Sequence, residues 1–505
     1  MKKYRTDLIV IGGGSAGLAT ALSAASKDLR VIIIEKMPFI GGAAFPPGGN
    51  GCFAIESQMQ KDMNYSLTKK DAFNYMMDFT HWRTDARIVS TFIENSAETI
   101  EWLKGLGGQF SRVAAYFSGA YYTWHMRVDE SSNFNELIFN KAKQLGVEAM
   151  TGVTAKQILK TNGKISGVHA IEKNDEKIEI TSKAVAVCTG GFAGNAEMIE
   201  KYTGFKLGED VFGFGTPQLN GEGLEIAWAA GAGKSEILLD TYACMPPPFC
   251  GPGGTSLELG VFRQPNFFVN LDGERFIDES IYKNVGFFGN SIYRQKGHCA
   301  FSIFDEEINK YYEKNDWDYQ LIGLPIRCNK DIAGIIHDAI NGIERPKTLP
   351  PGVKMNDMPK SFKVGKGEPY PHMYICNTIE DISEKTGINR EKLKRTIDEY
   401  NKACVIGKDN LFYKDAKYLR SISTPPFYVG RFYLGAYGTM GGIRINANTE
   451  VLDNNHNIIP GLYAVGNDAN SLCGDTFPFM MAGNASGFCY TMGRIAGQKI
   501  AKYIK

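Results

Sequence analysis

The 505-residue sequence predicts an α/β chain in which both ends build one parallel-sheet domain and the middle forms a second, inserted domain. Two observations carry this. Apolar runs that stop at glycine clusters occur near the N-terminus and return near the C-terminus, as the strands of a buried parallel sheet do. Between them, from about Ile237 to Pro426, the chain is rich in Pro, Tyr, Phe and Asn and carries separate helical patterns such as "NREKLKRTIDEYNKA". A chain of this length also exceeds one comfortable core. The boundaries expected are 1–238 and 437–505 for the two parts of the first domain and 239–436 for the insert.

Taken in order, "DLIVI" (7–11) reads as a buried strand, Ser15 to Ala25 as a helix of small residues, and "RVIIIEK" (30–36) as a second strand. Strand, turn, helix and strand fit the length of one βαβ unit, about 30 residues. The 3.6-residue periodicity of "TDARIVSTFIENSAETIEWLKGLG" predicts paired surface helices. "KISGVHAIEKNDEKIEITSKAVAVCTGG" reads as antiparallel strands and then a buried strand, Ala184 to Cys188, ending at glycines. From "PGLYAVGNDA" onward the apolar strand and glycine alternation resumes.

Composition removes several function classes. The net charge is +1 and Lys and Arg form no basic stripe, which argues against nucleic acid or an anionic membrane surface as partner. No apolar stretch approaches the roughly 20 residues that span a bilayer. "MKKYRTD" leads into a strand with no signal-peptide core between, so a cytoplasmic location is expected. The ten cysteines stand singly, without CxxC or CxxCH, and the seven histidines show no paired spacing. Iron–sulfur, c-type haem and other metal sites therefore lack their signatures, and no metal is expected. Glycine, at 56 residues, is well above its usual share of roughly 7% and needs a local explanation.

The first glycine turn supplies it. Gly12-Gly13-Gly14-Ser15-Ala16-Gly17 fits GxGxxG between a strand and a helix. Gly12 permits the tight turn, Gly14 lets backbone approach a pyrophosphate, and Gly17 allows close helix packing. The helix start offers N–H groups and partial positive charge to phosphates. Glu35, 18 residues after Gly17, suits a ribose hydroxyl pair and disfavours a 2′-phosphate; Lys36 follows it. A second cluster, "GGAAFPPGGNG", holds Gly41, Gly42, Ala43, Gly48, Gly49, Asn50 and Gly51. "TGGFAGN" adds Thr189, Gly190, Gly191 and Asn195, and "GLYAVGNDA" adds Gly466 and Asn467. "AGNASGF" opens the last helix with Gly483, Asn484 and Ala485, and Val153 completes the candidate cofactor set. Four separate close approaches of backbone suggest an extended ligand with a large planar head.

These stretches, with "NGEGLEIAWAAGA", "PNFFVNLDGERFIDES", "GTMGGIRIN" and "IPGLYAVGN", resemble the flavoprotein subunits of fumarate reductases and succinate dehydrogenases. That family includes 3-ketosteroid dehydrogenases and urocanate reductases. The resemblance covers nearly the whole chain. It implies a Rossmann-like (GR2-type) FAD-binding domain with an inserted α+β capping domain that closes over the flavin. Succinate dehydrogenases attach flavin through a histidine in the region matching 41–51; this chain has none there, so non-covalent FAD is expected. The helix starting near Gly483 would aim its N–H groups at the flavin N1/O2 edge and stabilise the anionic reduced ring.

The chain departs from the dicarboxylate reductases where they hold substrate. Their histidine before Thr-Met-Gly-Gly is Gly438 here, preceded by Tyr437. Their arginine before Gly-Gly-Asn-Ala is Met480, and their early cap histidine before proline is Cys244 or Met245. Burying a carboxylate against these side chains without a counter-charge would cost several kcal/mol. Fumarate and succinate are therefore disfavoured. Phe477, Phe479, Met480, Met481 and Tyr121, with Tyr122, Trp124, Phe287 and Phe288 as further candidates, point to a flat apolar substrate.

The family places an arginine proton donor, or in ketosteroid dehydrogenases a tyrosine, just after "RF.NE". Here "GERFIDESIYKN" offers Tyr282 and Lys283, with Tyr282 favoured because the receiving carbon is strongly basic and a weak acid serves it. Tyr437 and the N–H groups of Gly441 and Gly442 are candidates to polarise a substrate carbonyl, and Tyr428 is a weaker one. Arg263 lies near the family's arginine relay. The expected activity is reduction of a C=C bond conjugated to a carbonyl in a 3-oxosteroid, aryl enone or aryl enoate. Ketosteroid dehydrogenation by the same residues and a non-catalytic flavin redox sensor are the alternatives. No second nicotinamide motif is present, so a separate electron donor or acceptor is expected.

Overall fold

A computed structural model describes residues 1–42, 51–128, 133–172, 174–213, 218–245, 257–319, 331–343 and 370–505. The chain divides into two compact units. The first comprises Met1–Gly204, Thr216–Asp240 and Gly438–Lys505; the second comprises Phe205–Gly215 and Thr241–Tyr437. The short return of Phe205–Gly215 to the second unit has no counterpart in the sequence reading.

In the first unit the strand Leu8–Ile11 is flanked in a six-stranded sheet by Val31–Glu35 on one side and Ala184–Val187 on the other. Glu148–Thr151 extends the first side, and Ile458–Ala464 then Glu450–Leu452 extend the second. All neighbours are parallel except the last pair. Leu462 stands beside Val185 and Ile9 beside Ile32, so the chain's two ends meet in one sheet. Every residue of Leu8–Ile11, Val31–Glu35 and Ala184–Val187 is buried, which is why these runs are continuously apolar rather than alternating.

The helix Ser15–Ala25 is buried along its whole length against the C-terminal helix Asn484–Ile504. Small residues allow the close approach. A Cβ on Gly493 would lie 2.7 Å from the Ala16 carbonyl, and one on Gly497 2.6 Å from the Thr20 carbonyl. The segment expected as paired surface helices is instead one helix, Ala86–Gly105, capped by Asp85. Its stripe of Ile88, Phe92, Ile100 and Leu103 is buried, and it packs on Lys69–Phe79 and on the C-terminal helix. The periodicity marked an amphipathic face, and nothing in the segment breaks it into two.

The second unit is α+β. The first half of the strand Phe427–Ile443, which passes into the first unit at Gly438, runs antiparallel to Ala300–Asp305 and Met373–Cys376, and Phe267–Val269 adds to the far side of Ala300–Asp305. Its helices close with side-chain oxygens, including Asn284, Asp305, Thr378 and Asn389. Among the described residues no helix is long and apolar enough to cross a membrane. They also hold no group of three or more His, Cys, Asp or Glu placed to bind a metal.

Candidate functional site

The glycine turn is built as a cradle. A Cβ on Gly17 would sit 1.9 Å from the Gly12 carbonyl, and Gly12 itself turns with φ +104°. Only glycine allows the strand to end and the helix to begin in so little space. Glu35 is nearly buried and accepts the Gly13 N–H on one carboxylate oxygen and the Met37 N–H on the other, each at 2.8 Å. Those bonds aim the carboxylate while leaving lone pairs for ribose hydroxyls. Gly41 donates to the Gly13 carbonyl at 3.0 Å, and Asn135 grips the Gly41 carbonyl at 2.9 Å. Val153 lies two residues beyond Thr151, the register partner of Glu35. Ala43, Gly48, Gly49 and Asn50 lie outside the described residues.

Sequence reasoning missed Asp468. Its buried carboxylate accepts the N–H groups of Thr189, Gly190 and Gly191, and the Thr189 hydroxyl. One side chain thereby shapes the whole third glycine cluster. Burial pushes the Asp468 carboxyl up from its ordinary value while these bonds oppose the rise. An acid directly after Gly466-Asn467 was the available signal. Lys36 pairs with Glu222 at 3.0 Å, and Asn195 caps the helix Ala196–Thr203 while donating to the Asn220 carbonyl, so both act within the protein's own framework.

Three helix starts differ from the rest of this unit. Ser15–Ala25, Glu222–Ala229 and Asn484–Ile504 have Gly14, Gly221 and Gly483 at the N-cap and no side-chain cap bond. Ser57, Thr68, Asp85, Asn133 and Asn195 close the other capped helices with an oxygen. Bare N–H groups with partial positive charge are what a phosphate or an anionic ring requires.

An aromatic wall stands beside the last of these helices. Phe477 and Phe479 have ring centroids 4.9 Å apart, and Phe479 meets Tyr116 at 5.0 Å. Phe477, Phe479, Met480 and Tyr121 are half-buried, so each keeps surface for a ligand. The Tyr121 N–H donates to the Met480 carbonyl at 2.9 Å, and Thr123 donates to the Ala482 carbonyl. Met481 does not belong to the wall. It is completely buried in the protein's own packing and leaves the substrate set.

In the second unit Tyr282 lies on the short helix Glu279–Lys283, which Asp278 caps. The Tyr282 ring packs edge-on against Phe288, 5.4 Å between centroids, and the Arg263 guanidinium lies 5.7 Å from its face. Phe288 is core. Below the helix, Glu279 binds Arg275 through both oxygens at 2.8 Å, Arg275 reaches Asp409 at 2.8 Å, and Lys414 stands 3.4 Å from Glu279. All four side chains are buried. Lys283, beside Tyr282, is half-buried. Tyr437 is 40% exposed with its ring edge-on to Tyr242.

Two oxyanion candidates fail. The Gly442 N–H donates to Ser235 Oγ at 2.8 Å and is not available to a substrate. Tyr428 stacks on Phe304 and donates its hydroxyl to Glu306 at 2.9 Å, a support within the cap fold.

The donors present fit FAD. The glycine cradle, the aimed Glu35 carboxylate and three uncapped helix starts match a pyrophosphate, a ribose and an electron-rich ring edge. His125, in register with Cys52, is completely buried with Nε2 on Ser57 Oγ at 2.6 Å and Nδ1 on the Thr123 carbonyl.

The comparisons agree with this geometry. The family described as "FAD binding domain" matches residues 7–480. The chain is 32% identical over 510 residues to a vinyl phenol reductase from Lactiplantibacillus plantarum, covering 98% of this chain and 96% of that one. It is 25% identical to a fumarate reductase (cytochrome) from Shewanella frigidimarina, covering 99% and 77%. Among solved structures, 3-ketosteroid-Δ4-(5α)-dehydrogenase from Rhodococcus jostii aligns with TM-score 0.72 at 21% identity, covering 99% and 98%.

Proposed function

From the premise that this chain belongs to the FAD-dependent CH–CH oxidoreductases of the fumarate reductase and succinate dehydrogenase flavoprotein family, we propose that it reduces a C=C bond conjugated to a carbonyl or an aryl ring in a flat, apolar substrate. The observation that carries this is the aromatic and thioether wall, with Met480 where dicarboxylate reductases of the family keep an arginine. The L. plantarum relative, named for a phenolic substrate, supports an aromatic acceptor.

FAD supplies a hydride equivalent to one carbon of the bond. Gly12, Gly14, Ser15–Gly17 and Glu35 would hold its pyrophosphate and ribose end, and Gly466, Asn467 and the Gly483–Ala485 helix start would hold the ring. Attachment is non-covalent in this reading, since residues 41–51 carry no histidine to link the ring. Tyr282 donates the proton that the second carbon needs, so one hydride and one proton convert C=C to CH–CH. A phenol suits this step because the carbon it protonates is far more basic than phenolate. Glu279 and its partners position the helix that carries Tyr282, and Tyr437 orients the conjugating group. Phe477, Phe479 and Met480 hold the ring of the substrate and exclude water. Electrons arrive from a separate donor.

The test is anaerobic. The bound flavin is photoreduced and offered 4-vinylphenol, an aryl enoate, an enone steroid and fumarate in turn. Reoxidation by an aryl or enone substrate and not by fumarate is the expected result; fumarate as the sole oxidant would reverse the reading. Tyr282→Phe is expected to slow that reoxidation by about 10²–10⁴-fold with flavin content unchanged, and an unaffected rate would remove Tyr282 from the reaction.

A further inference from the structure

In the second unit the helix Arg390–Ile406 ends in a turn closed by Gly407, whose N–H bonds the Cys404 carbonyl at 3.2 Å. The chain then comes back to the helix it has just left. Lys414 Nζ donates to the Tyr400 hydroxyl and to the Asn266 carbonyl, each at 2.9 Å. Residues 405–413 therefore form a compact surface loop with its two ends held together. Asp409 braces it from inside. One carboxylate oxygen accepts the Leu411 N–H at 3.0 Å, and the other accepts the Lys414 N–H at 3.3 Å and Arg275 at 2.8 Å. The Arg275 guanidinium lies 5.3 Å from the centre of the Phe412 ring, which turns Phe412 toward the protein.

What the brace presents to solvent is apolar. Val405 is 86% exposed, Ile406 71%, Leu411 61% and Tyr413 79%. Apart from Met1, no other large apolar side chain among the described residues is as exposed as these. Single apolar residues on a surface are ordinary, but four gathered in one braced loop mark a contact surface. Tyr413 stands at φ +60°, a left-handed backbone that a bulky residue adopts at a cost. The Asp409 bonds to the N–H groups of Phe412 and Lys414 hold it there.

Charge selects the partner. Lys402, one turn before Val405, and Lys408 are exposed, while the loop's own acid, Asp409, is buried. Lys417 beyond the loop is paired with Asp415 at 3.2 Å. The exposed acids Asp398 and Glu399 stand about 10 Å back from Val405 along the helix, about one Debye length. The tip is thus apolar with a basic rim. A stable protein interface takes about 20–30 residues a side, more than so short a loop offers. A bilayer needs only a tip: aliphatic and tyrosine side chains enter the headgroup boundary while lysines meet anionic headgroups. The net charge of +1 gives the whole molecule little attraction to such a surface, so the attraction is local to this loop.

We propose that residues 405–413 are a docking loop by which the second unit rests on a bilayer containing anionic lipid. The inference goes beyond the proposed reaction and does not depend on it.

The experiment is co-sedimentation of flavin-loaded protein with vesicles of phosphatidylcholine alone, or of phosphatidylcholine with phosphatidylglycerol. Wild type is expected to bind the phosphatidylglycerol vesicles, and less well at high salt. Val405→Ser with Ile406→Ser should weaken binding at least about tenfold, and Lys402→Gln and Lys408→Gln about fivefold each. Tyr413→Trp should show blue-shifted emission on binding, a readout that stands even if the serine variant misfolds. Trp82→Ser, which removes a side chain 60% exposed in the first unit, should change nothing. Absence of binding to phosphatidylglycerol vesicles overturns the proposal, as does binding that the loop variants leave intact. Concentration-dependent dimerisation in sedimentation velocity, lost in the same variants, would overturn it too and give the loop to a second copy of the chain. Flavin reoxidation by substrate is read separately, so failure of either proposal leaves the other standing.

Discussion

The two units reach their order by opposite means. The first makes its site from backbone: glycines that admit close approach, helix starts left bare, and the Asp468 carboxylate that gathers three successive N–H groups. The second holds its proposed proton donor by side chains: a buried Arg275–Glu279–Lys414–Asp409 cluster under the Tyr282 helix, and helices closed by Asn, Asp and Thr. A backbone site can wrap a large cofactor without committing to its substituents. A side-chain site can be retuned by single substitutions.

The largest expected break in this contrast is Glu279→Ala. It leaves Arg275 and Lys414 buried with Asp409 as the remaining carboxylate partner, which should cost about 3–5 kcal/mol. Thermal unfolding should show the loss, with flavin binding in the surviving folded protein unchanged. If flavin affinity falls as well, the separation between the two modes is wrong.

Asp468→Ala is the matching test in the first unit. Three backbone N–H groups lose their acceptor, worth roughly 3 kcal/mol or more together. Flavin dissociation measured by fluorescence should show Kd raised at least about tenfold, the equivalent of 1.4 kcal/mol. Unaltered flavin affinity would mean that the glycine loop holds its shape without the carboxylate.

A pH experiment comes next in size. Burial pushes the Asp240 carboxyl from 3.8 up to about 7. The folded state therefore binds this proton more tightly than the unfolded chain. The stabilisation is complete below about pH 4 and is lost as pH rises through about 7. His125 works in the other direction: burial lowers it from 6.5 to about 4, so its contribution is present above 6.5 and lost as pH falls toward 4. The difference in melting temperature between wild type and Asp240→Asn isolates the first effect. It should decline from pH 5 to pH 8, and a flat difference would contradict the burial.

The smallest effect compares the helix starts. Asn389→Ala removes the side-chain cap of Arg390–Ile406 and should cost about 1 kcal/mol, read from urea unfolding. Placing a side chain at Gly483 should act instead on flavin. Its φ is +90°, and a Cβ there would lie 2.8 Å from the Phe53 N–H nitrogen. Gly483→Ala should distort the helix start and weaken flavin retention more than it lowers stability.

Much of the first unit was legible in the sequence because its signals are local. "DLIVIGGGSAGLAT" contains the strand, the turn and the bare helix start within 14 neighbouring residues, and each is enforced by the residues that spell it. Asp468 escaped notice because its partners at 189–191 lie nearly 280 positions away. Met481 and Gly442 were misassigned for the same reason: whether a side chain faces a ligand, or an N–H already has an acceptor, depends on neighbours supplied by the fold. The paired-helix expectation for 84–107 failed differently, since periodicity reveals a buried face but not the absence of a break.

By itself the sequence determined the parallel sheet, the cofactor cradle and the greasy character of the aromatic wall, since steric limits on glycine and the burial of apolar runs act within a few residues. Only the tertiary structure decided which carboxylates shape the site, which N–H groups remain to be used, and what anchors the Tyr282 helix. Those outcomes depend on hydrogen bonds and ion pairs between distant segments, such as Arg275 with Asp409 across 134 positions, and such partners meet only when the chain has folded.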